Sequence, residues 1–375
     1  MSPSQPLPPS RDLPVVNDYR ALFLQQRPLL DVRAPVEFNE GAFPHASNLP
    51  LLTDEERHQV GIRYKQQGQD AAIELGYALV DEPSKAARIA AWANWARQHP
   101  DGVLYCFRGG LRSRLTQQML AHEAGVIVPR VAGGYKAMRR FLLDTLAREA
   151  ARQKLLLIGG RTGCGKTKML QTLPNALDLE AIAHHRGSSF GRHAQPQPAQ
   201  ISLENALAIG FLQHETAPSI LLEDESRAMG SREIPHSLFT PMSQAPLIVL
   251  EASLEARVQQ SFRDYVQDSL HEFQSLYCAD EGFARYSAHV HASLDRIQRR
   301  LGGMRHAQMK TLLSAGLNAL QDDDPTILHE FVRRLLMDYY DPMYDYQISR
   351  KQERIVFRGE REAVLDWLAQ QGMRS

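Results

Sequence analysis

Two glycine-rich loops, each between a short apolar run and a helical pattern, restrict the folds open to this chain. The first, the thiol loop, is C-F-R-G-G-L-R-S at residues 106–113 and begins with the last residue of the apolar run 103–106. The second, the phosphate loop, is G-R-T-G-C-G-K-T at residues 160–167 and follows the apolar run 155–158. A loop that joins a buried strand to a helix directs backbone N–H groups at an anion. Both segments therefore predict strand–loop–helix units with an anion site in each.

Short apolar runs alternate with helical spacing along most of the chain. The runs lie at 29–33, 103–106, 126–131, 155–158, 219–224 and 247–250, and helical patterns cover 53–79, 86–98 and 111–123. This alternation predicts an α/β protein with mainly parallel sheets covered by helices. After Ala252 the pattern is helical up to about Tyr340, which predicts a helical C-terminal extension.

The domain boundaries follow from the breaks in these patterns. Residues 1–14 are rich in proline and serine and are expected to form a flexible tail. We predict a first domain over 15–138, a connecting helix over 139–153 after the glycine pair 133–134, and a second domain over 154–375.

Composition excludes several classes of function. The chain has 43 basic and 43 acidic residues and a formal net charge of zero, so any nucleic-acid site must be a local patch. Three scattered cysteines favour a reducing compartment over a disulfide framework. The apolar runs are too short to span a bilayer and the N-terminus has no signal-peptide pattern. We therefore expect a cytoplasmic protein with no membrane partner.

The thiol loop offers a nucleophilic sulfur inside an anion cradle. Cys106 ends the apolar run, and Gly109 and Gly110 permit the positive φ or close approach that an anion nest requires. Arg112 can close the ring with a bidentate guanidinium. Arg108 and Ser113 complete the predicted cradle. The alternative, a buried structural cysteine before a helix-start arginine, would be favoured if the cysteine stood alone.

The phosphate loop matches the pattern G-x-x-x-x-G-K-[ST] at every fixed position. Gly160, Gly163 and Gly165 let the backbone wrap a diphosphate, Lys166 reaches its outer oxygens, and Thr167 can ligate Mg²⁺. The motif indicates phosphate binding and leaves open whether a nucleotide or another diphosphate is bound. A further candidate resembles a Walker B carboxylate, although many buried strands end in acidic residues: Glu223 and Asp224.

Other candidates rest on weaker patterns. Arg186 and Arg192 lie in a glycine- and serine-rich segment and could contact phosphate or RNA, or form a solvated loop. Tyr340 and Tyr344 could stack on a base or line an isoprenoid slot, and core packing is the alternative. The histidines show no metal-ligand spacing, so Mg²⁺ at Thr167 is the one metal considered.

Around the thiol loop, several segments resemble the rhodanese family. These are D-V-R-x-x-x-E-F at 31–38, G-x-x-x-H-A at 41–46 and N-L-P at 48–50. The family's nucleophile is at the position of Cys106. Rhodaneses mostly place an arginine five residues later, whereas Arg112 is six residues later, as in rhodanese-fold phosphatases of the cell-cycle type. We expect the longer loop to form a wider cradle, suited to selenium or a phosphate-sized group.

Further segments extend the resemblance to nearly the whole chain. They are G-G-Y-K-A at 133–137, H-R-G-S-S-F-G at 185–191, E-D-E-S-R at 223–227 and Y-Y-D-P-M-Y at 339–344. Together with both loops, they resemble the tRNA 2-selenouridine synthases, in which a rhodanese domain is fused to a P-loop domain. The resemblance implies a rhodanese-like parallel sheet followed by a P-loop NTPase-like α/β domain. Phe107 stands where many members have tryptophan.

The same resemblance implies the chemistry. Such enzymes act on wobble 2-thiouridine of the 5-methylaminomethyl type in tRNA, geranylate its sulfur from geranyl diphosphate, and then replace the geranylthio group by selenium from selenophosphate. Cys106 would carry selenium as selanylcysteine. We assign selenophosphate to the Cys106–Arg112 cradle and geranyl diphosphate to the phosphate loop. No tightly bound cofactor is implied, and selenophosphate synthetase is a candidate supplier.

Two alternatives remain from the residues alone. One is a phosphatase in which Cys106 is the nucleophile and Arg112 clamps the phosphate, and phosphate release from an aryl phosphate would reveal it. The other is a P-loop kinase or ATPase with a rhodanese-like binding module, and steady ATP turnover without tRNA would favour it.

Overall fold

The structure is a computed structural model that describes residues 13–373. The predicted flexible tail, residues 1–14, therefore lies almost entirely outside the described residues. The chain divides into two compact units. The first runs to Arg148 and also contains Ala199–Gln213, and the second consists of Glu149–Pro198 and the chain from His214 onward.

The first unit is built around a parallel sheet. Its strands are β1 (Val15–Val16), β2 (Leu29–Asp31), β3 (Ala46–Asn48), β4 (Val103–Tyr105) and β5 (Arg130–Val131), in the order β1-β5-β4-β2-β3. Its helices are α1 (Tyr19–Leu24), α2 (Pro35–Glu40), α3 (Asp54–Leu79), α4 (Glu82–Gln98), α5 (Leu111–Glu123) and most of α6 (Gly134–Arg152). The strands β2 and β4 are fully buried, as their continuous apolar runs require in a sheet covered on both faces.

One predicted strand is shorter than its apolar run. The run 126–131 forms a strand only at β5 (Arg130–Val131). The N–H of Val126 donates to the carbonyl oxygen of Leu120 at 3.0 Å and closes the end of α5. Pro129 has no N–H to donate to a strand ladder.

Helix α9 (Gln200–Gln213) belongs to the first unit, although the sequence boundaries place it in the second domain. Asn205 on this helix is fully buried. It accepts a hydrogen bond from Arg139 at 2.8 Å and donates one to the carbonyl of Ala42 at 2.9 Å. A helical pattern predicts an amphipathic helix but does not identify the sheet against which the helix packs, so this insertion could not be predicted.

The second unit also has a parallel sheet. Its strands are β6 (Leu155–Gly159), β7 (Ala176–Leu177), β8 (Ile220–Glu223), β11 (Leu247–Glu251) and β12 (Ile355–Glu360), in the order β12-β11-β6-β8-β7, and β9 (Ala228–Met229) pairs with β10 (Arg232–Glu233) as a short antiparallel ribbon. Both parallel sheets confirm the predicted α/β class.

Helices account for most of the remaining second unit. Shorter helices near the sheet are α7 (Lys166–Leu170), α8 (Leu179–Ala183) and α10 (His236–Gln244). The C-terminal helices are α11 (Leu254–Phe262), α12 (Asp268–Leu276), α13 (Ala279–Arg296), α14 (Gln298–Leu301), α15 (Gly303–Gln321), α16 (Thr326–Leu335) and α17 (Asp341–Ser349), with π-helical turns at Arg263–Gln267 and Leu336–Tyr340. They enclose a large apolar core of their own.

The helices from Leu254 to Tyr340 confirm the helical pattern predicted for this range, and the chain beyond it also contains a strand. After α17 the chain returns to the sheet as β12, parallel to β11, and ends in α18 (Arg361–Gln370). Val364 and Leu368 of α18 are fully buried against the sheet. The strand β12 is at an edge and alternates between half-buried and exposed residues, so it has no apolar run to reveal it. Among the described residues, no helix is long and apolar enough to cross a membrane.

Candidate active sites

Cys106 lies directly after β4, at the point where the thiol loop turns toward α5. Its side chain is almost fully buried, and its sulfur donates to Ser113 Oγ at 3.1 Å. Ser113 Oγ in turn donates to the carbonyl of Gly110 at 3.2 Å. The predicted residues Cys106, Gly110 and Ser113 are thus in one hydrogen-bonded chain, and Arg108 is exposed at the loop surface.

The residues that follow the glycine pair 133–134 form hydrogen bonds with the backbone of the thiol loop. Tyr135 N and Lys136 N, in the first turn of α6, donate to the carbonyls of Cys106 and Phe107, both at 2.9 Å. Because the C=O and the next N–H point in opposite directions across a trans peptide, the N–H groups of Phe107 and Arg108 are directed away from α6. The loop therefore presents donors on the side opposite α6, as an anion cradle requires.

Close backbone contact explains why glycine is required at position 109. Gly109 has φ of +60°, and a methyl group there would lie 2.7 Å from Gly133 N and 2.8 Å from Gly134 N. The carbonyl of Gly109 accepts a hydrogen bond from Arg130 at 2.6 Å. The G-G-Y-K-A segment and the thiol loop therefore form one packed structure.

Arg112 has a carboxylate partner that the sequence did not predict. Its Nη1 and Nη2 atoms donate to Glu37 of α2 at 2.5 and 2.9 Å. Glu37 is buried and also accepts from Ala34 N at 3.1 Å. Burial favours the neutral acid, but the hydrogen bonds and charge of Arg112 outweigh it and lower the pKa of Glu37. The arginine is consequently fixed beside Cys106 before any ligand binds.

The D-V-R part of the 31–38 motif supports α2. Asp31 and Arg33 form a fully buried ion pair with a shortest distance of 2.7 Å. Arg33 also donates to the carbonyl of Glu37 at 3.0 Å and to that of Gly41 at 2.8 Å. Arg33 therefore ties the middle and the C-terminal end of α2 to the sheet, which fixes the position from which Glu37 reaches Arg112.

In the second unit, the phosphate loop joins β6 to α7. Gly160, Gly163 and Gly165 all have positive φ. A methyl group at Gly163 would lie 2.6 Å from the carbonyl oxygen of Arg257, whereas one at Gly165 would meet nothing within 4 Å. Arg257 is buried and donates to the carbonyl of Thr162 at 3.0 Å. The three predicted glycines therefore shape the loop, two of them through close packing and one through φ alone.

Lys166 folds back over the phosphate loop. Its ammonium donates to the carbonyl of Gly160 at 3.2 Å and lies 5.8 Å from the centre of the Tyr344 ring. Burial opposes its charge, but nearby groups that include Cys164, Tyr344 and Glu180 outweigh burial and raise its pKa. A permanently charged ammonium at this place can bind phosphate oxygens.

The sequence did not predict that the carboxylates of Glu180 and Glu225 lie close together near Lys166. A methyl group at Gly187, which has φ of +59°, would lie 2.5 Å from Glu180 Oε1 and 2.7 Å from Glu225 Oε1, so both side chains converge on this glycine. Glu180 Oε2 also accepts from the hydroxyl of Thr167 at 3.3 Å. Burial and the charge of Glu180 raise the pKa of Glu225. Glycine at 187 was a motif position whose role becomes clear only in three dimensions.

The Walker B candidates are engaged elsewhere. Glu223 is fully buried at the end of β8, and its Oε2 accepts from Leu179 N at 2.7 Å. Both oxygens of Asp224 accept from Lys351, at 2.7 and 2.6 Å. Their Walker B-like role stays a prediction, and the next residue, Glu225, lies close enough to Lys166 to interact with its charge.

Two arginines at the phosphate loop form ion pairs with α17. Arg161 donates to both carboxylate oxygens of Asp345 at 2.8 and 2.7 Å. Arg257 pairs with Asp341, at 3.1 Å for one of the two hydrogen bonds. The Y-Y-D-P-M-Y segment therefore borders the loop, and Tyr344 is its aromatic residue next to Lys166.

The remaining predicted contacts separate into buried and exposed residues. Arg186 pairs with Glu272 at 2.5 Å, and His193 contacts the same carboxylate at 2.9 Å. Tyr340 is buried in the helical core. Arg192 is exposed. Among the described residues, no cluster of three or more His, Cys, Asp or Glu side chains could hold a metal ion.

Fold and sites together define a class: an α/β protein that carries a P-loop in one unit and a buried, cradled thiol in the other. Comparison with known proteins narrows this class. The family model for the tRNA 2-selenouridine synthase AAA domain matches residues 153–374.

Whole-chain relatives have the same family name. The tRNA 2-selenouridine synthase of Bordetella bronchiseptica is 52% identical, over 94% of this chain and 96% of the relative. That of Hahella chejuensis is 51% identical, over 94% and 93%, and that of Azotobacter vinelandii is 52% identical, over 94% and 96%. The chain belongs to the tRNA 2-selenouridine synthase family, which confirms the resemblance of its sequence segments.

Proposed function

We propose that this protein converts wobble 2-thiouridine in tRNA to 2-selenouridine through an S-geranylated intermediate. Membership of the family supports the overall conversion. The observation that carries the division into two steps is the presence of two anion loops of different chemistry, one with a thiol and one with an ammonium. The proposal assigns one step to each loop.

The first unit is, in this proposal, a rhodanese-like domain. The parallel order β1-β5-β4-β2-β3, the cysteine after the central strand β4 and the helix that comes after it support the assignment. The ion pair of Asp31 with Arg33 gives the rhodanese-like motif a structural role.

Geranyl transfer is assigned to the phosphate loop. The loop backbone and Lys166 would bind the diphosphate of geranyl diphosphate and stabilise the negative charge that develops as diphosphate leaves. Thr167 and Glu180, which share a hydrogen bond, are suited to hold Mg²⁺ together with the diphosphate oxygens. The sulfur of 2-thiouridine takes the geranyl group, and diphosphate is released.

Selenium transfer is assigned to the thiol loop. Selenophosphate is an oxyanion with a transferable chalcogen, and the donors of the loop with Arg112 match such an anion. Cys106 would contact the selenium of selenophosphate and hold it in the loop. The selenium then attacks C2 of the base, geranylthiolate leaves, and water cleaves the Se–P bond to release phosphate. Ser113, which contacts the sulfur, would help to hold Cys106 in place.

Recognition of tRNA is assigned in part to Arg192. It is exposed, whereas Arg186 is paired with Glu272 and Tyr340 is buried. Tyr344 is available beside Lys166 for contact with a substrate. Selenophosphate synthetase remains the proposed supplier, and action in the cytoplasm remains a prediction.

Nucleoside mass spectrometry of bulk tRNA tests the proposal. A strain that lacks the gene is expected to lose 2-selenouridine, and the wild-type gene is expected to restore it. The Cys106→Ala gene is expected not to restore it. Unchanged 2-selenouridine in the deletion strain would refute the assignment.

A further inference from the structure

A cavity of about 930 Å³ opens beside Cys106, within the first unit. Cys106 and Arg112 form part of its wall, and α3 provides much of the rest. Binding pockets for whole small organic molecules range from roughly 300 to 1,000 Å³. A tetrahedral anion in the thiol loop would fill only a small part of this space, so the rest of the cavity has room for another group.

Most of the cavity wall is apolar. Helices α3, α4 and α5 contribute uncharged side chains with aliphatic, aromatic and thioether surface, among them Ala72, Ile73, Trp92, Leu115 and Met119. Such a wall favours a hydrocarbon group, since burial of apolar surface is the main source of affinity available there.

Several cations in the wall are already paired with carboxylates. Arg88 pairs with Glu56 at 2.8 Å, and Lys85 pairs with Glu123 at 3.0 Å. Arg57 lies 3.7 Å from Glu37, the partner of Arg112. A site for the phosphates of an RNA strand would need cations without such partners. Lys65 and Arg108 also line the cavity, so the apolar surface of the wall, and not a lack of cations, is what favours an uncharged group there.

Helix α3 is incompletely packed, which is consistent with a missing apolar partner. Ala72 is its one buried residue among 26, and the helix is interrupted at Gly68, where φ is +83°. Ile62, Tyr64 and Tyr77 are 42%, 57% and 46% exposed and line the same cavity. Apolar residues concentrated in this way commonly mark a binding surface.

We infer that the Cys106 cavity binds an apolar chain attached to the sulfur of the substrate base, with the sulfur end at Cys106 and the chain along α3. This inference rests on the proposed function, in which a base with an S-linked hydrocarbon is the substrate of the thiol loop. It adds that the hydrocarbon itself is recognised. The cavity would select alkylated over unmodified 2-thiouridine and would hold the leaving alkylthio group.

Binding of anticodon stem-loop RNA to the full-length protein tests this inference. The two probes carry either 2-thiouridine or S-geranyl-2-thiouridine at the wobble position, and affinity is measured by fluorescence anisotropy. The wild type is expected to prefer the geranylated probe by at least about tenfold, or about 1.4 kcal/mol. Ala72→Trp adds bulk to the cavity wall and is expected to abolish this preference.

Two further variants control for effects on folding. Ala78→Trp adds the same bulk to an exposed position on the same helix, outside the cavity wall, and should keep the full preference. Ala72→Leu is a milder change that should reduce the preference part of the way. Equal preference in wild type, Ala72→Leu and Ala72→Trp, or no preference in wild type, would overturn the inference.

A parallel assay distinguishes failure of the cavity inference from failure of the proposed function. The wild type is supplied with geranyl diphosphate, selenophosphate and 2-thiouridine RNA, and the nucleosides are analysed. Formation of 2-selenouridine without an Ala72-dependent preference would refute the cavity inference alone. Absence of 2-selenouridine would refute the proposed function on which it rests.

Discussion

In the thiol loop the guanidinium of Arg112 is held in place before a ligand binds. In the phosphate loop the ammonium of Lys166 contacts the backbone of the loop itself. Arg112 makes two hydrogen bonds to the buried carboxylate of Glu37. Lys166 makes one to the backbone carbonyl of Gly160, and its neighbouring carboxylates lie at Gly187. The first arrangement is preorganised for a small anion in one orientation, and the second has a flexible cation that can follow a diphosphate.

Gly109 of the thiol loop offers the test with the largest expected effect. Gly109→Ala combines a positive φ with contact against Gly133 N, and we expect a loss of roughly 1–2 kcal/mol from φ and about 1–3 kcal/mol from the overlap. Gly125 has a similar φ of +64°, and a methyl group there would meet nothing within 4 Å. Gly125→Ala should therefore lose only the roughly 1–2 kcal/mol that comes from φ. Urea unfolding measures both. Equal losses would mean that the packing of Gly109 against residues 133–134 does not stabilise the protein.

Glu37→Gln tests whether the thiol loop is preorganised. Loss of one partner of a buried pair costs about 3–5 kcal/mol, and the partial exposure of Arg112 lowers our expectation to about 1–3 kcal/mol. The pKa of Glu37 is lowered by folding, so its contribution is present above the ordinary carboxyl pKa and is lost as pH falls through the folded value. The variant should therefore lose this acid-dependent part of its stability.

Glu74→Gln is the matched control for this change, because Glu74 is an exposed glutamate of the first unit that does not line the Cys106 cavity. Selenium transfer should fall in Glu37→Gln and remain normal in Glu74→Gln. Normal selenium transfer in both would show that Arg112 does not need its carboxylate partner.

A smaller effect is expected from pH at the phosphate loop. The pKa of Glu225 is raised to about 8, so this carboxyl is neutral below that pH and becomes negative above it. Without a divalent cation, affinity for inorganic diphosphate should fall several-fold as pH rises from about 7 to about 9. Isothermal titration calorimetry measures how the diphosphate affinity of wild type and of Glu225→Gln changes with pH. Because protonation of diphosphate affects both proteins equally, the difference between the two slopes reports Glu225 alone. Identical slopes would exclude Glu225 from the site.

The smallest expected effect is at the edge of the phosphate loop. Arg161 and Asp345 form an exposed pair, and such pairs contribute about 0.2–1 kcal/mol. Asp345→Asn should lower the unfolding free energy by no more than this, and the loss should shrink at high salt. A loss of several kcal/mol in thermal or urea unfolding would show that this ion pair holds the loop in place.

Local chemistry explains what the sequence could predict. Both loops were predicted because their glycines, cysteine, lysine and arginine are close together in the chain, and their conformations depend on short-range sterics. The parallel sheets were predicted from apolar runs for a similar reason. Only the resemblance to a family linked the two loops to one conversion.

Long-range register explains what the sequence could not predict. The contact of Arg112 with Glu37 joins residues 75 positions apart. Helix α9 contacts the first unit through long-range hydrogen bonds such as the one from Asn205 to Ala42, and β12 has no apolar run to distinguish it. The convergence of Glu180 and Glu225 on Gly187 requires three chain segments to meet. None of these relations is encoded by spacing.

Separation of the two steps in purified protein tests the central claim, one chemical step per loop. With geranyl diphosphate and 2-thiouridine RNA, we expect Cys106→Ala to form the S-geranyl product and Lys166→Ala to form less by about a hundredfold or more. With selenophosphate and RNA that is already geranylated, Lys166→Ala should form 2-selenouridine and Cys106→Ala should not. Lys168→Ala, an exposed position on α7, is the control for Lys166. Normal geranyl transfer and diphosphate affinity in Lys166→Ala, or selenium transfer by Cys106→Ala, would contradict the account.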